Sequence, residues 1–312
     1  MNQNIPEIAV MLATYNGEIF IDEQLVSIFR QKNVLIDLYI SDDGSSDQTI
    51  NKIKSHIKKN PHNKIRLFKG PGEGFAKNFF SIFNKINQDY DYYCFSDQDD
   101  VWNQNKIQQS IKALNTFESN EYNLYFSRTM MIDVNGNKIG ASKNFKRKPS
   151  FQNALVQSIG GGNTCVFNKN SFDLILKHTK NYNLDYVSHD WLIYIIITAM
   201  RGNVFFDRFS LNINYRQHSN NLIGSNITFL GRFRRLYDVF IKKSLQDWNS
   251  KHINFLETVP IHPKNYATYA HFKKCRDANL ITRIFSYYKS GIYRQTKLTS
   301  FILFVSILLR RF

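Results

Sequence analysis

Asp97, Asp99 and Asp100 place three carboxylates within four residues, directly after the apolar run 92–95. Like charges this close repel, and each raises the cost of ionising the next. A fold keeps such a cluster at a strand end only where something cationic meets it. A divalent ion carrying a phosphate answers that need, and oxygen ligands around the Gln98 spacer favour Mg²⁺ or Mn²⁺ over zinc. Trp102 gives the same loop a large side chain to pack down. The opposing reading is an acidic helix start, since acids suit the positive end of a helix dipole.

The segments upstream set the context. Residues 8–13, 35–40, 65–68 and 92–95 are short apolar runs closed by turn residues. Between them, residues 19–30, 50–57 and 75–86 carry apolar side chains at helical spacing. Strands alternating with helices in this way predict a parallel sheet covered on both faces. Ligands of such sheets bind beyond the carboxyl ends of the strands. The polar loops 14–17, 42–44 and 97–100 all fall at that rim, which strengthens the metal–phosphate reading. From about residue 120 the pattern is mixed, with strands expected at 124–126, 165–167, 204–206 and 211–215. Residues 143–148 form a basic loop, and 191–200 are nearly all apolar, as a buried helix would be.

A chain of 312 residues with 43% apolar content can build a sizeable core, as one large domain or two. Its 14 Gly and 6 Pro argue against a loop-dominated chain. Cys94, Cys165 and Cys275 are scattered without CxxC spacing, which indicates neither a zinc site nor a disulfide framework and suits a reducing cytoplasm. The first six residues do not read as a secretory leader.

Charge is uneven. Residues 228–312 hold 16 Lys and Arg against 4 Asp and Glu, a net of +12, whereas residues 1–227 net only +4. The composition changes near 225, so domains are expected at 1–225 and 226–312. In the second, Phe229, Phe233, Leu236, Tyr237 and Phe240 lie at helical spacing among Arg232, Arg234, Arg235, Lys242 and Lys243. The uncharged stretch 298–309 has 12 residues, against the ~20 that a membrane-spanning helix needs. Basic amphipathic helices lying on an anionic membrane surface fit better. Nucleic acid is the other polyanion such a tail could seek, but no recognised RNA- or DNA-binding motif is present.

Several further clusters bear on chemistry. Asp42 or Asp43 can accept from a base N–H while Thr14 and Tyr15 line a base; Asp-Gly-Ser-Ser-Asp is equally good turn chemistry. The Gly-rich run 70–78 does not match GxGxxG and follows the third strand, which excludes a Rossmann dehydrogenase. Lys77 either reaches a diphosphate or is a solvated helix residue. The triple glycine 160–162 either admits a ligand close to the backbone or bends a strand start. Asp190 opens the apolar helix as a dipole partner or as a general base. His189 beside it reads best as a packing histidine. Arg216 and His218 end a strand and either face a diphosphate or metal or form an ordinary turn.

Taken in order, residues 13–18, 42–47, 95–102, 161–164, 189–191 and 215–218 resemble the motifs of family two glycosyltransferases with the GT-A fold. The likeness covers about residues 7–225 and is nearest to the bacterial rhamnosyltransferase-like branch that builds O-antigens, capsules and cell-wall polysaccharides. The resemblance implies an α/β GT-A nucleotide-diphospho-sugar transferase fold, followed here by basic amphipathic helices. It implies metal-dependent inverting transfer from a nucleotide-diphosphate sugar, with Mn²⁺ or Mg²⁺ as cofactor. Asp97, Asp99 and His218 would meet the metal. Ala13, Thr14, Tyr15, Asp42, Asp43, Lys77, Asp97, Gly162, Asn163 and Arg216 would meet the nucleotide sugar. Asp190 matches the catalytic base, which in the family usually follows an acid; here His189 takes that first place. Asp100, Trp102, His189 and Trp191 would lie on the sugar or acceptor side.

The expected donor is dTDP-rhamnose, with a UDP-hexose or UDP-N-acetylhexosamine as alternatives. The expected acceptor is a polyprenyl-diphosphate-linked saccharide, reached by a cytoplasmic protein peripheral on the inner face of the plasma membrane. A non-catalytic nucleotide-sugar-binding module recruited to the membrane is the contrasting possibility, although a binding module has no need of a base at Asp190. No nucleic-acid partner is expected.

Overall fold

The computed structural model describes residues 5–179, 186–218 and 244–312. By contacts the chain falls into two compact units. The first takes the described residues of 1–144, 160–182 and 202–218, and the second those of 145–159, 183–201 and 219–312. The compositional boundary near 225 and the amphipathic stretch 229–243 lie outside the described residues.

The first unit is built on a seven-stranded sheet. Its strands are β1 (Glu7–Thr14), β2 (Leu35–Asp42), β3 (Lys64–Lys69), β4 (Tyr92–Ser96), β6 (Asn123–Ser127), β9 (Val166–Asn168) and β10 (Asn203–Asp207). They lie in the order β10-β6-β9-β4-β1-β2-β3. All neighbours are parallel except β9, which runs antiparallel to both β4 and β6. A second sheet has the order β5-β11-β7-β8, from β5 (Val101–Trp102), β7 (Met130–Ile132), β8 (Lys138–Ala141) and β11 (Ile213–Arg216).

Alternation along the central strands divides the core between two faces. Ile8, Val10, Leu12, Leu38, Ile40 and Cys94 share one hydrophobic cluster with Ile21, Leu25 and Ile28 of α1 (Ile21–Phe29), Ile53 of α2 (Thr49–Lys59) and Ile107 and Leu114 of α4 (Lys106–Leu114). The intervening residues face a wall of rings. Phe95 meets Phe79 of α3 (Phe75–Phe83) at 5.2 Å, and Tyr93 stacks on Phe172 of α6 (Lys169–Thr179) at 4.0 Å. Helices therefore cover both faces, and the carboxyl ends of β1, β2 and β4 open into the three polar loops.

The second unit is helical: α5 (Phe151–Ala154), α7 (His189–Ala199), α8 (Ser244–Leu256), α9 (Tyr266–Asp277), α10 (Leu280–Ser290) and α11 (Lys297–Leu308). Every residue of α7 is buried, as befits a helix apolar on all sides. Its last carbonyls, which no intrahelical donor can reach, accept from Asn265 Nδ2 at 3.0 Å (Thr198) and 2.9 Å (Ala199). Trp191 donates its indole N–H to the Ala154 carbonyl at 2.6 Å and meets the His252 ring edge-on at 4.5 Å. No helix among the described residues is long and apolar enough to cross a membrane.

Two histidines sit in this helical core. Burial pushes both His189 and His252 down to about 4 from 6.5, so each is neutral in the folded chain at pH 7. Between pH 6.5 and about 4 the unfolded chain binds protons that these rings do not. Their contribution to stability is therefore whole above pH 6.5 and is lost as the pH falls toward about 4. Urea denaturation between pH 7 and 4 should show stability falling with acid, and His252→Phe, which keeps a ring against Trp191, should remove one of the two protons from that slope. An unchanged slope would contradict the assignment.

Candidate active site

The three rim loops of the first unit are fastened by polar side chains. Thr14 Oγ1 and the Tyr15 backbone N–H both donate to Gln98 Oε1, at 2.6 and 2.9 Å, and Gln98 Nε2 donates to the Tyr15 carbonyl at 3.0 Å. A Cβ on Gly17 would stand 2.3 Å from that same Gln98 oxygen, so a larger residue there would push the Gln98 amide out of its place. The Asn16 N–H donates to Ser45 Oγ at 2.8 Å, and the Ser46 N–H returns to Asn16 Oδ1 at 2.9 Å.

The acids of the second loop hold backbone. Asp42 accepts from the N–H groups of Gly44 and Ser45, at 3.1 and 2.9 Å, and from the Ser45 hydroxyl. Asp43 spreads its two oxygens over the N–H groups of Gly72 and Gly74, at 2.7 and 2.9 Å, and so anchors the Gly-rich run. Both acids thus fill the turn role, which leaves lone pairs on Asp43 but commits Asp42 to its loop. Tyr15 is exposed at the rim. Lys77, in the first turn of α3, pairs with Glu73.

The acidic loop is where charge concentrates. Asp99 Oδ2 meets His218 Nε2 at 2.7 Å, and the His218 ring stacks on Phe20 at 5.3 Å. Asp100 is fully buried, accepts from Asn163 Nδ2 at 2.5 Å and takes the Arg216 N–H at 3.3 Å. Burial, and then the charges of Asp99 and Asp97, push its carboxyl well above the usual range. The Arg216 side chain is buried and committed: Nε donates to the Asp99 carbonyl at 3.1 Å, Nη1 to the Val134 carbonyl at 3.0 Å and Nη2 to Glu23 at 2.6 Å. Its guanidinium also lies over the Phe20 ring at 4.7 Å. Arg216 thus braces the loop from behind. Gly162 and Asn163 occupy a buried 3-10 turn ahead of β9.

Trp102 does pack the loop down, but from β5, a two-residue strand paired to β11, rather than from a helix; α4 begins only at Lys106. Lys106 is buried, and its Nζ lies 3.5 Å above the Trp102 ring with no hydrogen-bond partner among the described residues. Burial drives its pKa down, opposed by the charges of Cys94, Cys165, Asp100 and Asp97. The ammonium therefore sits in the field of the acidic loop without touching it.

Asp190, His189 and Trp191 belong to the second unit. Asp190 lies in the first turn of α7, where the helix dipole favours its charge, and accepts from Ser158 Oγ at 3.4 Å. Sequence reasoning missed Gln98 as the tie between loops, Glu23 and Phe20 as partners of Arg216 and His218, and Lys106. Only Lys106 carried a signal: it shares the buried face of α4 with Ile107, Ser110 and Leu114.

A carboxylate paired with an imidazole at a loop of acids is a donor set for a divalent cation. Among the described residues no group of three or more His, Cys, Asp or Glu side chains is arranged to hold one. A two-donor site fits Mg²⁺ or Mn²⁺ that completes its shell from a bound phosphate and water, because such ions are held by one or two carboxylates plus substrate oxygens.

Residues 9–195 match the sequence profile described as glycosyl transferase family 2. The chain belongs to that family. It is 35% identical to the dTDP-rhamnosyl transferase RfbG of Shigella flexneri, over 72% of this chain and 78% of that one. Among solved structures it resembles TarS of S. aureus, in complex with UDP-GlcNAc, with a TM-score of 0.53 at 15% identity, covering 92% of this chain and 93% of that one. It also resembles the mannosyltransferase PcManGT of Pyrobaculum calidifontis, in complex with GDP-Man and Mn²⁺, with a TM-score of 0.55 at 14% identity, covering 98% and 84%. These two likenesses establish the GT-A-like fold, and family membership makes the chain a glycosyltransferase.

Gln98→Ala should cost about 1–3 kcal/mol by removing three hydrogen bonds that join the first and third loops. Urea denaturation measures this; a loss under ~0.5 kcal/mol would mean that the loops hold their places without it.

Proposed function

We propose that this glycosyltransferase moves rhamnose from dTDP-rhamnose, with inversion, onto a polyprenyl-diphosphate-linked saccharide during assembly of a bacterial surface polysaccharide. The observation that carries the reaction class is the Asp99–His218 pair, held at 2.7 Å on an acidic loop that Arg216 braces. The choice of sugar leans on the 35% identity to a dTDP-rhamnosyl transferase over most of both chains.

Asp99 and His218, with Asp97 beside them, would hold Mn²⁺ or Mg²⁺, whose bound charge offsets what builds on the departing diphosphate. Tyr15 and Thr14 line the base, and Asp43 accepts from it. Asp190 takes the proton of the acceptor hydroxyl as its oxygen bonds to the anomeric carbon from the face opposite the leaving group. The bond from that carbon to the phosphate oxygen breaks, and its electron pair leaves with the nucleoside diphosphate. One protein carboxylate suffices, because the leaving group needs no protonation when its charge is otherwise met. Asp100, buried and accepting from Asn163 and the Arg216 N–H, supports the loop. The basic C-terminal region brings the protein to the inner face of the plasma membrane, where such an acceptor resides.

Thermal unfolding with dTDP, UDP, GDP or CMP, each with and without Mn²⁺, separates the possibilities. A ligand at 100 times its Kd adds about 2.7 kcal/mol, which is easily read. The expected result is a shift with dTDP that requires Mn²⁺. A shift with UDP alone would move the donor to a UDP-hexose or UDP-N-acetylhexosamine, and no metal-dependent shift with any nucleotide would overturn the reading. Asp190→Asn should leave the dTDP shift in place and slow transfer by about 10²–10⁴; transfer at the wild-type rate would remove Asp190 as the base.

A further inference from the structure

Helix α10 of the second unit is polar on the inside and apolar on the outside, and α11, which buries Leu303, Ser306 and Ile307, also leaves apolar side chains outside. The buried residues of α10 are Arg283, Ser286 and Ser290, while Ile281, at 82% exposure, Phe285 and Tyr288, at 70%, face outward. These three stand at i, i+4 and i+7, so they form one stripe. On α11, Leu298 and Phe301 are exposed at 69% and 63%. The two helices touch through Tyr287 and Tyr288 against Phe304, at 5.0 and 6.1 Å.

The rotation of α10 is fixed by polar bonds. Arg283 Nη1 donates to the Ile307 carbonyl at 2.5 Å at the end of α11, and Ser286 Oγ pairs with His271 Nδ1 at 3.3 Å. Turning the apolar stripe inward would break both and leave the Arg283 guanidinium without the carbonyl it holds. An arrangement this costly in water has a reason if the outer face meets something that is not water.

Charge says what that is. Residues 278–312 contain six Lys and Arg and no Asp or Glu. Lys289, Lys297 and Arg310 are exposed beside the stripe, with the Lys289 ammonium 5.6 Å from the Phe285 ring. A second copy of the chain would bring the same cations against them in an isologous pair. A nucleic acid would answer the cations and leave the apolar stripe in water. An anionic bilayer answers both, since an interfacial helix sinks its apolar face to the acyl boundary and sets its cations among the headgroups.

We propose that Ile281, Phe285, Tyr288, Leu298 and Phe301 form the face of α10–α11 that enters the interfacial layer of an anionic membrane, with Lys289, Lys297 and Arg310 meeting the lipid phosphates. The proposal rests on the membrane-surface reading of the C-terminal region and assigns it to particular side chains.

The test is cosedimentation of the full chain with vesicles of phosphatidylcholine alone or with one quarter phosphatidylglycerol. Wild type should pellet with the anionic vesicles only, and Ile281→Ser/Phe285→Ser/Phe301→Ser should partition at least tenfold more weakly, with circular dichroism and the nucleotide-induced thermal shift retained. Wild type that binds neither vesicle overturns the membrane reading and this face with it. A triple variant that binds as wild type overturns the face and leaves the reading standing. Sedimentation equilibrium showing a dimer that the triple variant dissolves overturns it in favour of a second copy. Ile281→Cys, at the most exposed position of the stripe, carrying an environment-sensitive fluorophore gives a separate measurement, and the label goes to it alone because Cys94, Cys165 and Cys275 are buried. Its emission should shift to the blue on adding anionic vesicles, and an unmoved spectrum contradicts insertion.

Discussion

Repulsion among three carboxylates in four residues is the constraint around which the first unit is arranged. It is relieved in three ways. Asp100 withdraws into the interior, where burial and the neighbouring acids raise its pKa and Asn163 and the Arg216 backbone donate to it. Arg216 spends its guanidinium on the Asp99 carbonyl, on the turn at Val134 and on Glu23. Lys106 adds a buried amine over the Trp102 ring. Asp97 and Asp99 remain as the charges the loop presents, with His218 against Asp99. The small sheet exists to make this possible: β5 carries the loop onward, and β11 delivers Arg216 and His218 to it.

The same economy runs through the other rim loops. Asp42 and Asp43 are spent on backbone N–H groups that would otherwise go unpaired, and Gln98 joins two loops whose sequence positions are more than eighty residues apart. A site built this way is rigid before any ligand arrives, which lowers the entropy lost on binding. The second unit obeys a different logic. Its core helix α7 is apolar all round, and the polar groups it cannot avoid, from Asn265 to the indole of Trp191, are bonded to carbonyls. At α10 the usual distribution is reversed, and the reversal is bonded in place.

Much of this was legible in the chain. Apolar runs spaced by helical segments placed β1 to β4 and α1 to α3 within a few residues, because both their periods are strong and local. The rim loops followed from the topology. The small sheet was legible only in β11, which falls on the strand expected at 211–215; β5, β7 and β8, of two to four residues, have no period to read. Nor could the chain say that Arg216 braces while His218 meets Asp99, since the partners of both are distant in sequence. Gln98 looked like a spacer because its partners are distant in sequence. Residues 191–200 read as a buried helix, but nothing local told in which core. The segment at 229–243 lies outside the described residues.

The account turns on Asp99 as a ligand for a divalent cation that arrives with a nucleoside diphosphate. Electron paramagnetic resonance of Mn²⁺, titrated into the protein with and without dTDP, reads free and bound ion directly. The account predicts bound Mn²⁺ in the wild type that tightens with dTDP and is lost in Asp99→Asn, while that variant unfolds at a temperature close to the wild type's. Equal Mn²⁺ uptake by wild type and Asp99→Asn, or no uptake by the wild type with dTDP present, would contradict it.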